Sequence, residues 1–284
     1  MDQPAPSPLN EASVARRFWH SYVTDVRDEA NASAAITPAT DRKMVLVFVT
    51  TAIALTLNYF LSDGGSTQWL QSTLRAVGMG GVADRLHDAM LVSVHREWNR
   101  LAFWAIVVIA TYVIPPVLLI KLVLREKVLD YGLRIRGIAR HGAVYAFAFT
   151  IAAPVIVAVS YTAAFQDKYP FYHPPAGDSL WPYMYGWWIL YWLQFVALEF
   201  FFRGFLLNGL VPRLGYAAIY AMVVPYNMLH FGKPMAEALA AIFGGIALGH
   251  LALKTKSIWW GAALHISIAI TMDIAALGHL GRIF

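Results

Sequence analysis

The sequence predicts an all-α fold, a polytopic transmembrane helical bundle of about seven spanning helices. Three observations carry that expectation. Charged residues make up 14% of the 284-residue chain, against about 25% in an ordinary soluble domain. Hydrophobic residues reach 58% and the mean hydropathy is +0.53, more apolar surface than a soluble fold conceals. Apolar runs of spanning length recur along the chain. Period-two alternation in segments of ~10 residues, the mark of a membrane β-barrel, is not visible. Helices are then the way left to pair backbone groups in hydrocarbon.

Residues 1–43 are polar, and no apolar stretch follows a basic start, so no cleavable signal peptide is expected. This segment reads as a cytoplasmic tail with an amphipathic stretch over 14–26. Charge-free runs at 44–61, 101–120, 142–165 and 179–198 hold 18, 20, 24 and 20 residues, close to the ~20 that cross a bilayer. Weaker runs follow at 214–229, 238–253 and 257–272. Pro115 and Pro116 are expected to kink the second span. The loop 63–100 carries His87, Asp88, His95 and Glu97 without a compact ligand spacing, and reads as surface. The chain divides into a polar tail (1–43), N-terminal transmembrane helices and loops (44–178) and a core that carries the chemistry (179–284).

The net charge of +5 could suggest nucleic acid, but topology accounts for it. With the N-terminus cytoplasmic, 15 of the 22 basic residues fall on inner segments, and the loop 125–140, with Arg125, Lys127, Arg134, Arg136 and Arg140, anchors the orientation. The expected location is the cell membrane, multi-pass. The expected partners are the lipid bilayer and a membrane-associated or lipidated peptide or protein substrate, with no nucleic acid. Cysteine is absent, which excludes disulfides, thiolate metal sites and a cysteine nucleophile.

Ionisable groups inside a membrane are costly, so each is a functional hypothesis. Glu199 and Arg203 stand four apart, acid before base, on one helix face. If that helix turns near 211–213, Glu199 lies ~20 Å and His230 ~27 Å from the turn on antiparallel neighbours. His265 lies ~15 Å from its own inner turn. One carboxylate and two imidazoles can therefore meet, an arrangement that can activate water. Structural readings compete: a buried ion pair for Glu199 and Arg203, an interfacial residue for His230, packing for His250. Gly245 and Gly249 form a GxxxG pattern that permits close helix approach. HExxH and GxSxG are both missing. The string Gly177-Asp178-Ser179-Leu180 precedes a helix instead of following a strand and reads as coincidence. Lack of a phosphate-binding loop argues against an ATP-driven pump.

Glu199-Phe-Phe-Phe-Arg203-Gly204, Tyr226-Asn-Met-Leu-His230-Phe231, Phe243-Gly-Gly-Ile-Ala-Leu-Gly249, Thr255-Lys-Ser-Ile-Trp259 and His265 follow in order. Over about residues 180–275 this resembles the CAAX protease and bacteriocin-processing (CPBP, or Abi) family of intramembrane endopeptidases, whose pattern is EExxxR, FxxxH and HxxxN. The resemblance implies a water activated by Glu199 with His230 and His265, Arg203 orienting Glu199, and an asparagine at the oxyanion. An older view of the same residues as metal ligands leaves a divalent metal such as zinc open. Two positions depart from the pattern: Leu198 replaces the first Glu and Ala269 the Asn. Asn227, three residues before His230 on the same face, is the expected substitute donor; Asp273 is too far around and along its helix. The alternative is a catalytically impaired relative acting as a membrane scaffold or interaction protein. A proton-coupled transporter, the third reading, lacks an internal repeat.

Overall fold

A computed structural model describes residues 8–62, 66–135, 137–173, 180–181 and 183–281. Pro4 and Pro6, the start of the 63–100 loop, Arg136, positions 177–179 of the Gly-Asp-Ser-Leu string and Arg282 lie outside the described residues. Among those described, the chain is helical, with one isolated β-bridge between Leu133 and Ser257. Six helical segments are long and apolar enough to cross a membrane. The chain is a multi-pass membrane protein.

The chain opens with α1 (Pro8–Trp19), a π-turn (His20–Thr24) and α2 (Asp25–Ala32). Part of the polar N-terminal segment is docked against the bundle. Asn31 Oδ1 accepts the Tyr216 N–H at 2.9 Å, His250 Nε2 meets the Tyr22 carbonyl and Lys254 donates to the Ser21 carbonyl. The first span, α3 (Pro38–Ser62), starts as its sequence dictates. Pro38 occupies the first helical position, where no N–H is needed. Thr37 and Thr40 exchange side-chain-to-backbone hydrogen bonds at 3.1 and 3.2 Å, a reciprocal N-terminal box.

Where a surface loop was expected at 63–100, the structure builds α4 (Ser66–Ala76), α5 (Gly80–His87) and a π-turn (Asp88–Val92). These pieces are too short and too polar to register as spans. Its ionisable residues are spread over separate contacts: His95 Nε2 bonds the Tyr183 hydroxyl at 3.0 Å, and Glu97 accepts the His173 N–H at 3.1 Å. The second span, α6 (Arg96–Leu118), runs through Pro115 and Pro116 and widens into a π-helix at Leu119–Leu124. Proline removes backbone donors, and a widened turn is one way a helix absorbs that loss. The third span contains α7 (Gly142–Val159), followed by the short α8 (Ala163–Gln166). Its exposed Phe147, Ile151 and Val155 form an apolar outer face suited to lipid.

The last third departs most from expectation. α9 (Tyr183–Glu199) passes without a break into a π-helix (Phe200–Leu207) and α10 (Asn208–Leu214). After Gly215 the chain continues as α11 (Ala218–Met228). With a 3-10 turn at Gly215–Ala217 these pieces run over Tyr183–Met228, so the runs expected at 179–198 and 214–229 fall within one of the six segments. With 11 residues, α11 is only ~16 Å long and does not span alone. α12 (Met235–Thr255) and α13 (Trp259–His279) complete the bundle. α6 packs on α3 and α9, α11 on α12, and α13 on α7 and α9. The π-helix is the centre of the core: Phe201, Phe202, Phe205, Leu206 and Leu207 are all fully buried. The GxxxG expectation is met between α11 and α12. A Cβ at Gly245 would lie 3.0 Å from Tyr226 Cδ1, and one at Gly249 would lie 2.9 Å from Met222 Cε.

Candidate active site

Glu199 ends α9 and Arg203 lies four residues on, inside the π-helix. Wide π-turns recur at functional sites because they re-aim side chains without breaking the helix. The wider turn leaves carbonyls to satisfy, and Asn208 Nδ2 donates to both Arg203 O and Gly204 O at 2.9 Å. Glu199 and Arg203 are both fully buried. Arg203 Nη1 lies 3.1 Å from Glu199 Oε1, and the guanidinium carbon sits 4.0 Å over the Tyr226 ring. The cation thus has a carboxylate on one side and an aromatic face on another.

His265, on α13, reaches the same carboxylate, with Nδ1 2.9 Å from Glu199 Oε1. Its Nε2 lies 3.2 Å from the Tyr226 hydroxyl, and its ring stacks on Phe195 at 5.5 Å between centroids. The approaches to Oε1 are at ion-pair distance without hydrogen-bond alignment, and Oε2 has no hydrogen-bond donor among the described residues. A buried carboxylate oxygen without a donor is costly in a purely structural site. At Gly261 of α13 a Cβ would fall 2.5 Å from Oε2, so this glycine is what lets α13 close over the carboxylate.

His230 lies just beyond α11. Its ring packs edge-on to Tyr226 at 5.2 Å, and among the described residues no hydrogen bond or ion pair joins it to Glu199. The expected meeting of one carboxylate with two imidazoles is therefore direct for His265 and indirect, through Tyr226, for His230. Asn227 is half-buried; its carbonyl accepts the His230 N–H at 2.9 Å, and its Oδ1 is buried without a donor among the described residues. Tyr226 is the residue that sequence reasoning undervalued. It stood there as a motif aromatic, while its hydroxyl and ring contact His265, Arg203 and His230. Gly261 went unnoticed because its significance is a contact with a residue on another helix.

At the outer edge of the site, Lys233 donates to Glu237 Oε1 at 2.7 Å and to the Tyr169 hydroxyl at 3.2 Å. Burial, reinforced by the neighbouring Lys233 charge, pushes the His230 pKa down to about 4. His230 is accordingly a neutral imidazole at physiological pH. The unfolded chain, whose histidine titrates near 6.5, binds a proton between about pH 6.5 and 4 that the folded chain does not, so stability falls as pH drops through that window. Thermal unfolding in detergent between pH 7 and 4 is expected to show His230→Gln losing less stability than the unsubstituted protein. Parallel curves for the two proteins refute the assignment.

A zinc ion is the cofactor that the sequence leaves open, and this donor set does not fit it. Among the described residues no three His, Cys, Asp or Glu side chains converge. Glu199 already faces a guanidinium at 3.1 Å, whose charge opposes a second cation at that carboxylate.

A buried carboxylate faced by Arg and His in a multi-pass helical protein defines the class: a membrane protein with an ionisable cluster among its helices. Residues 180–271 match the family model described as type II CAAX prenyl endopeptidase, Rce1-like. Over this segment, about a third of the chain, the sequence is similar to the CAAX protease family, as its motifs suggested. No curated protein matches the chain, and no solved structure does. The matched segment holds Glu199, Arg203, Tyr226, Asn227, His230 and His265 together.

Proposed function

We propose that this chain is an intramembrane endopeptidase that hydrolyses a peptide bond of a membrane-associated substrate, its water activated by Glu199. The observation that carries this reading is Glu199 Oε2, fully buried, without a donor among the described residues, on a carboxylate whose Oε1 faces Arg203 and His265. Glu199 Oε2 takes a proton from water as the water oxygen bonds to the peptide carbonyl carbon. The carbonyl oxygen becomes an oxyanion, facing neutral His230 and the Asn227 amide. As the C–N bond breaks, the proton held on Glu199 passes to the leaving nitrogen. Arg203 orients Glu199, and His265 keeps its Oε1 engaged.

The family description makes a prenylated CAAX peptide the first substrate to try. The test is cleavage in reconstituted vesicles of a prenylated CAAX peptide, its unprenylated counterpart and a transmembrane peptide, with and without chelator. Chelator-resistant cleavage is expected, lost in His265→Ala and reduced about tenfold in Asn227→Ala. Chelator-sensitive cleavage overturns the metal-free mechanism. Full activity of Asn227→Ala removes that residue from the oxyanion.

The scaffold reading is favoured by the two departures from the motif. Leu198 belongs to the apolar core, and Ala269 lies in a second cluster with Trp187 and Tyr191. Neither position could take a carboxylate or amide without burying it among hydrocarbon. A protein that binds these peptides but cleaves none would be that scaffold. Localisation in the cell membrane with a cytoplasmic N-terminus belongs to the same proposal, supported by the basic inner loop, as does the division at 43 and 178.

A further inference from the structure

We propose that the Tyr226 hydroxyl is the positioning group that fixes the tautomer and rotation of His265, and thereby the face that Glu199 presents to water. This inference rests on the endopeptidase reading for its kinetic consequence, though not for its structural one. Tyr226 lies at the only described hydroxyl contact of His265 Nε2, at 3.2 Å. The other ring nitrogen, Nδ1, stands 2.9 Å from Glu199 Oε1. A lone pair on Nδ1 would face a carboxylate oxygen across that distance, so the proton of a neutral ring belongs on Nδ1. Nε2 is then the acceptor, and the phenol donates to it.

The phenol is itself held. Arg203 lies over its ring at 4.0 Å, Phe202 meets the ring edge-on at 5.4 Å, and Gly245 lets α12 close against it. One turn beyond His265 stands Ala269, which offers no side-chain hydrogen bond. The donor to this imidazole therefore comes from α11, a neighbouring helix, and ties α11 to α13 across the carboxylate. Oε1 is approached by Arg203 and His265, while Oε2 lies against Gly261 of α13 with no hydrogen-bond donor among the described residues. If His265 rotated or switched its proton to Nε2, Nδ1 would repel Oε1 and the carboxylate would turn. The hydroxyl therefore acts on the reaction through His265, without touching substrate.

The test is Tyr226→Phe, which keeps the ring over Arg203 and removes only the oxygen. In protein carrying ¹⁵N-labelled histidine, with His265 assigned by its absence in His265→Ala, Nε2 is expected to be pyridine-like and Nδ1 pyrrole-like. In Tyr226→Phe the two signals are expected to move towards each other as the second tautomer is populated. In the peptide assay the variant is expected to lose roughly tenfold in kcat with KM changed less than about twofold, as befits an interaction that matters in the transition state. Identical histidine signals in both proteins, a pyrrole-like Nε2, or two pyrrole-like nitrogens in the unsubstituted protein would each overturn the proposal. The nitrogen signals need no cleavage, so they stand even if the chain proves to be a scaffold. An unchanged kcat with altered signals refutes the kinetic role alone.

Discussion

Glu199→Gln is expected to lower kcat/KM by about 10³-fold, the range in which removal of a positioned general base falls. The substitution keeps the size and planarity of the side chain and removes the charge that accepts the proton. It also deprives Arg203 of its counter-ion in a fully buried setting, where an unpaired cation is costly. The Tyr226 face, 4.0 Å from the guanidinium carbon, offsets part of that cost, so the variant is expected to insert and fold with a lowered unfolding temperature. Peptide cleavage and thermal unfolding are to be measured on the same detergent preparation. A folded variant that cleaves within tenfold of the parent rate refutes Glu199 as the base.

Arg203→Met carries the largest expected effect on stability, a loss of about 3–5 kcal/mol, the usual result of stripping one partner from a buried ion pair. The carboxylate left behind meets only His265, and the favourable escape is to take up a proton. A protonated Glu199 cannot serve as a base, so activity is expected to vanish together with stability. Pairing the change with Glu199→Leu separates the two effects, because removing both charges leaves an apolar pair that can pack. Denaturant unfolding should show the double variant recovering most of the lost stability while remaining inactive. A single variant as stable as the parent would mean that Arg203 and Glu199 are not coupled.

The architecture was legible wherever the bilayer itself imposes the rule. Runs of 18–24 residues without charge have few fates other than a span, and the helices over 44–61, over 101–120 and over the first part of 142–165, where α7 ends at Val159, follow from that. The Glu199–Arg203–His265 contact was equally accessible, because i,i+4 spacing and rise per residue translate sequence distance into depth. His230 came out displaced for a reason in the same terms: α11 is short and ends at Met228, so His230 sits beyond the helix that was meant to carry it inward. The amphipathic pieces at 66–92 are not apolar enough to stand out, and the amphipathic stretch expected over 14–26 carried no sign of where it docks. The N-terminal segment is placed by contacts with residues more than a hundred positions away, such as Asn31 with Tyr216, while the pieces at 66–92 pack on one another and on the adjoining spans. Tyr226 and Gly261 belong to the same kind. One depends on a hydroxyl aimed at a histidine 39 residues on, the other on the lack of a methyl group beneath a carboxylate.

The π-helix at Phe200–Leu207 makes the site a matter of chain length as much as residue identity. A widened turn holds one residue more than an α-turn would in the same place. Deleting any single residue there would let the stretch relax to ordinary α-geometry and swing α10 and α11 by about 100°. A conservative exchange among its phenylalanines leaves that count intact. Natural variation in this stretch should therefore run through exchanges of side chain and avoid insertions and deletions, as if the eight positions were a spacer of fixed gauge.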